Sequence, residues 1–530
     1  LVGSEMCIRD RDENGEVVKR IREYKKMVWS NTLSYLTTFN NIHHLDFLAG
    51  YEIDDTYNDY LSGEAYNFTT PDKHAISNGM KTVSVGGSDS RYRLVSYLSR
   101  LNYDYKNKYY LGASFRVDGS SRLHRDNRWG TFWSVSGAWR TIEEEFMQPV
   151  KDWLTDLRIR ASYGVNGTLP SDYFGYMGLS SISGGYLEQP GIQMSQIANP
   201  NLKWETNYNM NIGLDFGFWD RLNFTIEYYT RTTKNLLMDC PVSMTTGFSS
   251  YLMNIGEVKN KGIELTINST NIKIKDFSWN TTFNLGHNSN KVVKLDGEQT
   301  QIVSGTQIHK VGSSYRTFYV QEFAGINPET GNPLFYTNEL DENGNYIKEI
   351  TENSKNAQFI PYKHAEPTVN GGISNSLRYK WLDLNFLFSY QFGGYSYDTW
   401  AQKTEHGGYD SYANIPTYYR DSWKKPGDQT NIEVYMLGKS SSVSMHKITS
   451  SRRIHSTDYF RLKNITFGIT LPKEWTNKIN IGNVRFYASA SNLWTWAAYD
   501  NYDPEAVSAG SATQTTPPLK TVTFGLNINF

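Results

Sequence analysis

The stretch "NYNMNIGLDFGF" (207–218) sets Tyr208, Met210, Ile212, Leu214, Phe216 and Phe218 at one parity, and Asn207, Asn209, Asn211, Gly213, Asp215 and Gly217 at the other. Successive side chains of an extended chain point to opposite faces, so this predicts a strand with one apolar and one polar side. The pattern recurs. Leu157, Ile159, Ala161, Tyr163 and Val165 oppose Arg158, Arg160, Ser162 and Gly164, and Tyr109, Leu111, Ala113, Phe115 and Val117 oppose Gly112, Ser114, Arg116 and Asp118. The last ten residues, "TVTFGLNINF", alternate in the same way. Similar runs start at Leu94, Leu222, Gly262, Phe277, Leu382, Tyr459 and Val484, with weaker ones near Leu33, His44, Phe132 and Val369. Together they predict about fifteen strands of about ten residues each, the length at which a tilted strand crosses a bilayer.

The connections carry independent information. Those at 105–108, 217–221, 271–276, 379–381 and 471–478 are tight, whereas 55–88, 167–201, 236–253, 291–365, 395–456 and 494–518 read as long loops. Short and long alternate along most of the series, 141–156 being oversized for its place on the short side. An up-and-down barrel with turns at one rim and loops at the other produces this alternation; a sandwich does not. Fifteen strands in one such series enclose a space too wide for side chains to fill, so the polar faces are expected to border a water-filled bore and the apolar faces to meet lipid. Arg116, Arg158, Arg160 and Arg231 all fall at polar parity, as required where an Arg at the lipid midplane costs about 2–4 kcal/mol. Tyr103, Tyr105, Tyr109, Phe218, Trp219, Tyr379 and Trp381 crowd the tight-turn ends, which suits rings stable at the headgroup level.

Composition agrees with an all-β chain. Aromatics make up 15% of the residues and Gly numbers 42, yet mean hydropathy is -0.57, so strand formers abound without overall hydrophobicity. Lys plus Arg total 53 against 54 Asp plus Glu, and this balance gives no field that would gather nucleic acid. No run approaches the roughly twenty apolar residues of a membrane helix, which leaves strands as the crossing elements. Cys7 and Cys240 are too few for a disulfide framework and too far apart for a zinc motif. The opening "LVGSEMCIRDR" has no alternation, so 1–25 is expected to be a non-native or poorly structured lead-in and 26–530 the barrel portion.

The motifs of bond chemistry are missing: no HExxH, Walker loop, CxxC pair or nucleophile elbow occurs, and no catalytic, cofactor or metal residue is assigned. Adjacent His43 and His44 point to opposite faces of a strand. Glu143 to Glu145 read as a solvated turn, and "DENGN" at 341–345 as a hairpin turn, since Tyr346 stands where a calcium loop needs Gly. What remains is a path. Arg116, Asp118, Arg158, Arg160 and Glu227 are the lumen-lining candidates. Tyr409, Tyr412, Tyr418, Tyr419, Trp494 and Trp496, in aromatic stretches read as loop, either stack on the faces of sugar rings or pack the loops together. Phe530, a bare aromatic at the end of a strand, resembles the assembly signal of outer-membrane barrels.

Several longer stretches, among them "YDYKNKYYLGASFRVDGSSRLHRDNRWGTFWSVSGAWR" (103–140), "LKWETNYNMNIGLDFGFWDRLNFTIEYYTRTTKNLLM" (202–238), "FAGINPETGNPLFY" (323–336) and "DYFRLKNITFGITLP" (458–472), resemble the SusC/RagA-type TonB-dependent outer-membrane transporters of Bacteroidetes. The resemblance runs in family order from about residue 26 onward. It implies a transmembrane antiparallel up-and-down barrel of about 22 strands, of which this chain would hold about the last fifteen, with the plug domain absent. It further implies the cell outer membrane, with its lipid as solvent, and a TonB complex engaged through an upstream segment. A SusD-like lipoprotein partner and uptake of oligosaccharides or peptides, without bond chemistry, complete the implication. A soluble β-rich glycan-binding or glycan-cleaving domain and a passive porin are the alternatives. A sheet short of strands would keep two unpaired edges and is not expected to close unaided.

Overall fold

The computed structural model describes residues 15–529 except 69, 71, 73, 187–188, 296–299, 409–413, 438–444, 446, 477, 479–480 and 514. Fifteen strands form one antiparallel sheet in sequential order: β1 Glu16–Phe39, β2 His43–Phe68, β3 Gly79–Tyr105, β4 Tyr109–Ser120, β5 Trp129–Trp139, β6 Leu154–Thr168, β7 Glu205–Phe218, β8 Leu222–Lys234, β9 Glu257–Lys273, β10 Phe277–Lys294, β11 Val369–Tyr379, β12 Leu382–Phe392, β13 Tyr459–Thr470, β14 Asn483–Ala497 and β15 Thr521–Asn529. Every strand lies beside its sequence neighbours, as the up-and-down reading predicts, and β1 and β15 end the order. Among the described residues no helix is long and apolar enough to cross a membrane.

Local chemistry explains the short rim. Asn40-Asn41, Lys106-Asn107 and Trp219-Asp220 each set two successive residues at positive φ, between 52° and 58°, the backbone of a two-residue turn whose twist matches the flanking strands. Beside these turns His43 stacks on Tyr103 with ring centres 6.0 Å apart, and Trp153 on Phe218 at 5.9 Å. The oversized connection holds two short 3-10 helices, Thr141–Glu143 and Glu145–Val150, where Glu143 pairs with Arg140 at 3.1 Å and Lys151 at 3.4 Å.

Burial runs opposite to that of a water-soluble sheet. On β7 the apolar Ile212 and Leu214 are 45% and 36% exposed, while polar-face Asp215 and Asn207 are 6% and 0%. The terminal strand bares Val522, Phe524, Leu526 and Ile528. The apolar side chains bared on one face of the wall fit a hydrocarbon solvent, and the polar side chains of the other face turn to one another.

The first strands depart from the sequence expectation. β1, β2 and β3 run 24, 26 and 27 residues, so the loop expected at 55–88 is confined to 69–78, and the lead-in expected up to residue 25 is strand from Glu16. Cross-strand rows show why. Trp29, Ile53 and Val95 form an apolar row, but the next two are Met27–Asp55–Arg93 and Lys25–Tyr57–Arg91, where both arginines grip Asp55 at 2.7 and 2.5 Å. The apolar belt ends there. Beyond it both faces are wet, so the strand continues while the hydrophobic alternation that would reveal it disappears.

Contacts sort the chain into two compact units. The first comprises Leu1–Ala138, Ser162–Asn209 and Thr233–Ile255, and the second Trp139–Ala161, Met210–Thr232 and Gly256–Phe530. In the first, Leu123, Phe132, Leu202 and Trp204 make a core at the long-loop ends of the strands, with Trp204 Nε1 donating to the Arg128 carbonyl at 2.9 Å. In the second, the long loops build cores of their own. Phe318, Val320, Tyr397 and Ile454 form one; Phe335, Ala357, Met445 and Ile448 form another. The 341–345 turn is as expected: Asp341 accepts from the backbone N–H groups of Asn343 and Asn345 at 2.9 and 2.8 Å.

Candidate functional site

The polar face of the wall is a series of ion pairs. In the first unit Arg116 donates to Asp118 at 2.7 and 2.9 Å and to Ser96 at 2.8 Å, with Glu52 at 3.7 Å. In the second unit Arg158 and Arg160 of β6 converge on Asp215 of β7 at 2.9 and 3.1 Å. Arg160 also reaches Glu227 of β8, which accepts from Asn211 at 3.0 Å, and Thr225 donates to Asp215 at 2.9 Å. All five lumen candidates therefore stand in ion-pair networks on the polar face. Asp215 is the centre that the candidate set omitted; its parity was visible, its convergence with β6 was not.

Two ion pairs that bridge across an intervening strand do so over a glycine. Arg160 passes from β6 to Glu227 on β8 over Gly213 of β7, where an added Cβ would sit 2.8 Å from the guanidinium carbon. Asp383 of β12 holds Arg485 of β14 at 2.6 Å over Gly468 of β13, where a Cβ would meet both partners at 2.4–2.5 Å. The small polar-face residues thus clear the space in which long charged side chains lie flat against the wall. Such a surface stays wet and almost neutral, and offers hydrogen bonds without a fixed trap for a charged solute.

A second cluster lies in the loops of the second unit. Asp398, 3% exposed, caps the short helix Thr399–Thr404 by accepting from Ala401 N at 2.7 Å, and it also accepts from Tyr499 OH at 3.1 Å. Tyr499 lies flat on His455, ring centres 3.6 Å apart. Glu405 takes Arg453, Arg452 and the Tyr418 hydroxyl. Burial drives the His455 imidazole down to about 4 and the Tyr418 and Tyr502 phenols up to about 12. All three are uncharged near neutrality. The cluster's charge is then carried by its carboxylates and guanidinium groups.

A cavity of about 620 Å³ opens here, lined by residues including Trp400, Arg461, Asp500, Asn501, Asp503 and Thr513. A smaller one of about 300 Å³ shares Asp398, Trp400 and Asn501 with it and adds Asn414 and Tyr418. Arg461 is 2% exposed and bound to Asp503 at 2.5 Å and to Glu505. Among the described residues Asp500 has no cationic partner.

The aromatic candidates divide. Tyr409, Tyr412 and the terminal Phe530 lie outside the described residues. Tyr418 lines the smaller cavity, and Tyr419, 4% exposed, is buried in the loop body. Trp494 and Trp496 belong to β14 and not to the loop read at 494–518; their cross-strand partners are Leu462 and Phe460, and Trp494 meets Phe460 edge-on at 6.2 Å. An offset between Leu462 and Asn464 masks this strand end, because it breaks the alternation where the aromatics begin. Trp400 lies in the expected long loop 395–456 but upstream of its aromatic stretch, and sequence reasoning misses it.

The family model "TonB dependent receptor-like, beta-barrel" matches residues 10–339, which also brings part of the expected lead-in within the family. The TonB-dependent receptor P3 of Formosa agariphila is 31% identical over 97% of this chain and 53% of its own length. The TonB-dependent receptor SusC of Bacteroides thetaiotaomicron is 30% identical over 89% of this chain and 47% of its own. The solved RagAB peptide transporter superposes with a TM-score of 0.85 at 27% identity, over 97% of this chain and 56% of that one. The chain spans about half the length of the curated relatives it matches. With a family match across more than half its residues and a wall that bares hydrocarbon outward, the chain belongs to the TonB-dependent receptor β-barrel family of the outer membrane.

Proposed function

We propose that this chain supplies the barrel wall and external loops of a nutrient importer energised through TonB, which takes up oligosaccharides or peptides together with a SusD-like lipoprotein. The observation that carries the reading is the polar face itself, in which Arg158, Arg160, Asp215 and Glu227 compensate one another along one side of three strands. A bore lined in this way lets a large hydrophilic solute exchange hydrogen bonds as it moves. The names of its relatives, SusC and a peptide transporter, support import and leave the choice of substrate class open. Work is done by conformational change, and no bond chemistry is assigned.

Flux through proteoliposomes holding a closed barrel that includes this chain tests this. Truncating Arg160 and Glu227 together to Ala should change the relative permeation of large hydrophilic solutes severalfold. Permeation unchanged across a series of polar-face variants, all still folded, would remove the reading. The passive-porin alternative predicts flux that is indifferent to TonB.

A further inference from the structure

We propose that the cleft floored by the helix Thr399–Thr404 is a binding subsite for an uncharged oligosaccharide, with Trp400 as the stacking platform, and that its carboxylate lining turns polyanionic chains away. The inference rests on the import reading and deepens it by choosing a substrate class. Three observations combine. Trp400 is 40% exposed and borders both cavities, so one ring face is available to a ligand in either. Around it stand Asn414, Asn501, Asp500, Thr513 and Thr515, side-chain amides, a carboxylate and hydroxyls able to meet the hydroxyl rim of a ring whose apolar face lies on the indole.

The charge decides the rest. Among the described lining residues the one cation, Arg461, is buried and already held by Asp503 and Glu505, so it offers nothing to an incoming sulfate or uronate. Asp500 remains outward, and Asp398, though buried, lines both cavities. A negatively charged polymer would meet the outward carboxylate of Asp500 and, among the described lining residues, no cation that is not already ion-paired. A peptide is less well matched, since an extended peptide is captured chiefly through the backbone edge of a strand, and the strand edge at this cleft, Ser511–Ala512, is two residues long.

The protein purified from outer membranes in detergent is titrated with maltohexaose, xylohexaose and mannohexaose as neutral probes, with hexagalacturonate as the anionic probe, and with an uncharged decapeptide. At least one neutral probe should bind at least tenfold more tightly than hexagalacturonate. Trp400→Ala should weaken it at least tenfold, and Asp500→Lys should raise hexagalacturonate affinity while the heat-modifiable folded band persists. Trp475→Ala, on an exposed tryptophan of the turn between β13 and β14, should change nothing. The proposal is overturned if hexagalacturonate or the peptide binds best, if no neutral probe binds, or if folded Trp400→Ala binds like the parent. Any of these outcomes beside polar-face-dependent flux leaves the import reading standing; selective binding with flux blind to the polar face removes that reading and keeps the subsite.

Discussion

The wall and the loop body of this molecule obey opposite rules of burial. In the wall Ile212 and Leu214 face outward and Asp215 is covered; in the loops Phe318, Val320 and Phe335 are wholly covered, and Asp500 is left to water. One chain therefore sorts the same residue types in two directions. Apolar groups are buried only where water is the alternative, and where hydrocarbon is the alternative the advantage vanishes. The wall is consequently held by backbone ladders and polar-face ion pairs, the loop body by packing.

That contrast is sharpest where packing is removed. Phe335→Ala, in a loop core, should cost the loop body about 3–5 kcal/mol. Limited proteolysis would then cut within 295–368 while the wall keeps its heat-modifiable mobility. On the wall the costly change is a charge on the wrong side: Ile212→Arg should destabilise by about 2–4 kcal/mol, and Asn211→Arg one position away by far less. Urea titration in vesicles measures both, and equal costs would erase the distinction between the faces. Asp215→Asn leaves Arg158 and Arg160 crowded without their shared anion. Because Arg158 is close to half exposed, the effect should be lower than for a fully buried pair, about 1–2 kcal/mol by the same titration.

The smallest effect is a pH dependence confined to the loops. His455 is held well below the ordinary histidine range by burial, against the pull of Asp398 and with the push of Arg452 and Arg453, and its ring lies on Tyr499. A depressed folded-state value means that the unfolded segment binds the proton more readily. Stability around 451–456 is therefore complete above about pH 6.5 and falls as pH drops toward 4. Hydrogen exchange at these amides should accelerate over that window, and His455→Phe should flatten the profile. The polar face of the wall should show no matching change that depends on His455.

Much of the wall was legible in sequence because a strand between lipid and water writes both solvents into alternate residues. Fifteen strands, their order and the polar-face parity of Arg116, Arg158 and Arg160 all follow from the alternation. Where one solvent surrounds the chain the code fails, and so the outer halves of β2 and β3 read as loop. Trp494 and Trp496 were displaced for another reason, since the register offset at Leu462 shifts parity by one. The cleft around Trp400 is assembled from segments about a hundred residues apart, and no local pattern announces it. Asp215 falls between these cases: its face was readable, but its two arginines meet it only through the pairing of β6 with β7.

The most direct test of the central claim is a nitroxide scan along β7 in native outer membranes, with Cys7 and Cys240 replaced and labels placed singly at Asn209, Met210, Asn211, Ile212 and Leu214. The account predicts strict alternation, with Met210, Ile212 and Leu214 open to lipid-soluble oxygen and Asn209 and Asn211 open to a water-soluble nickel chelate. Oxygen and chelate profiles that rise and fall together, or the chelate reaching Ile212 and Leu214 instead, would contradict it.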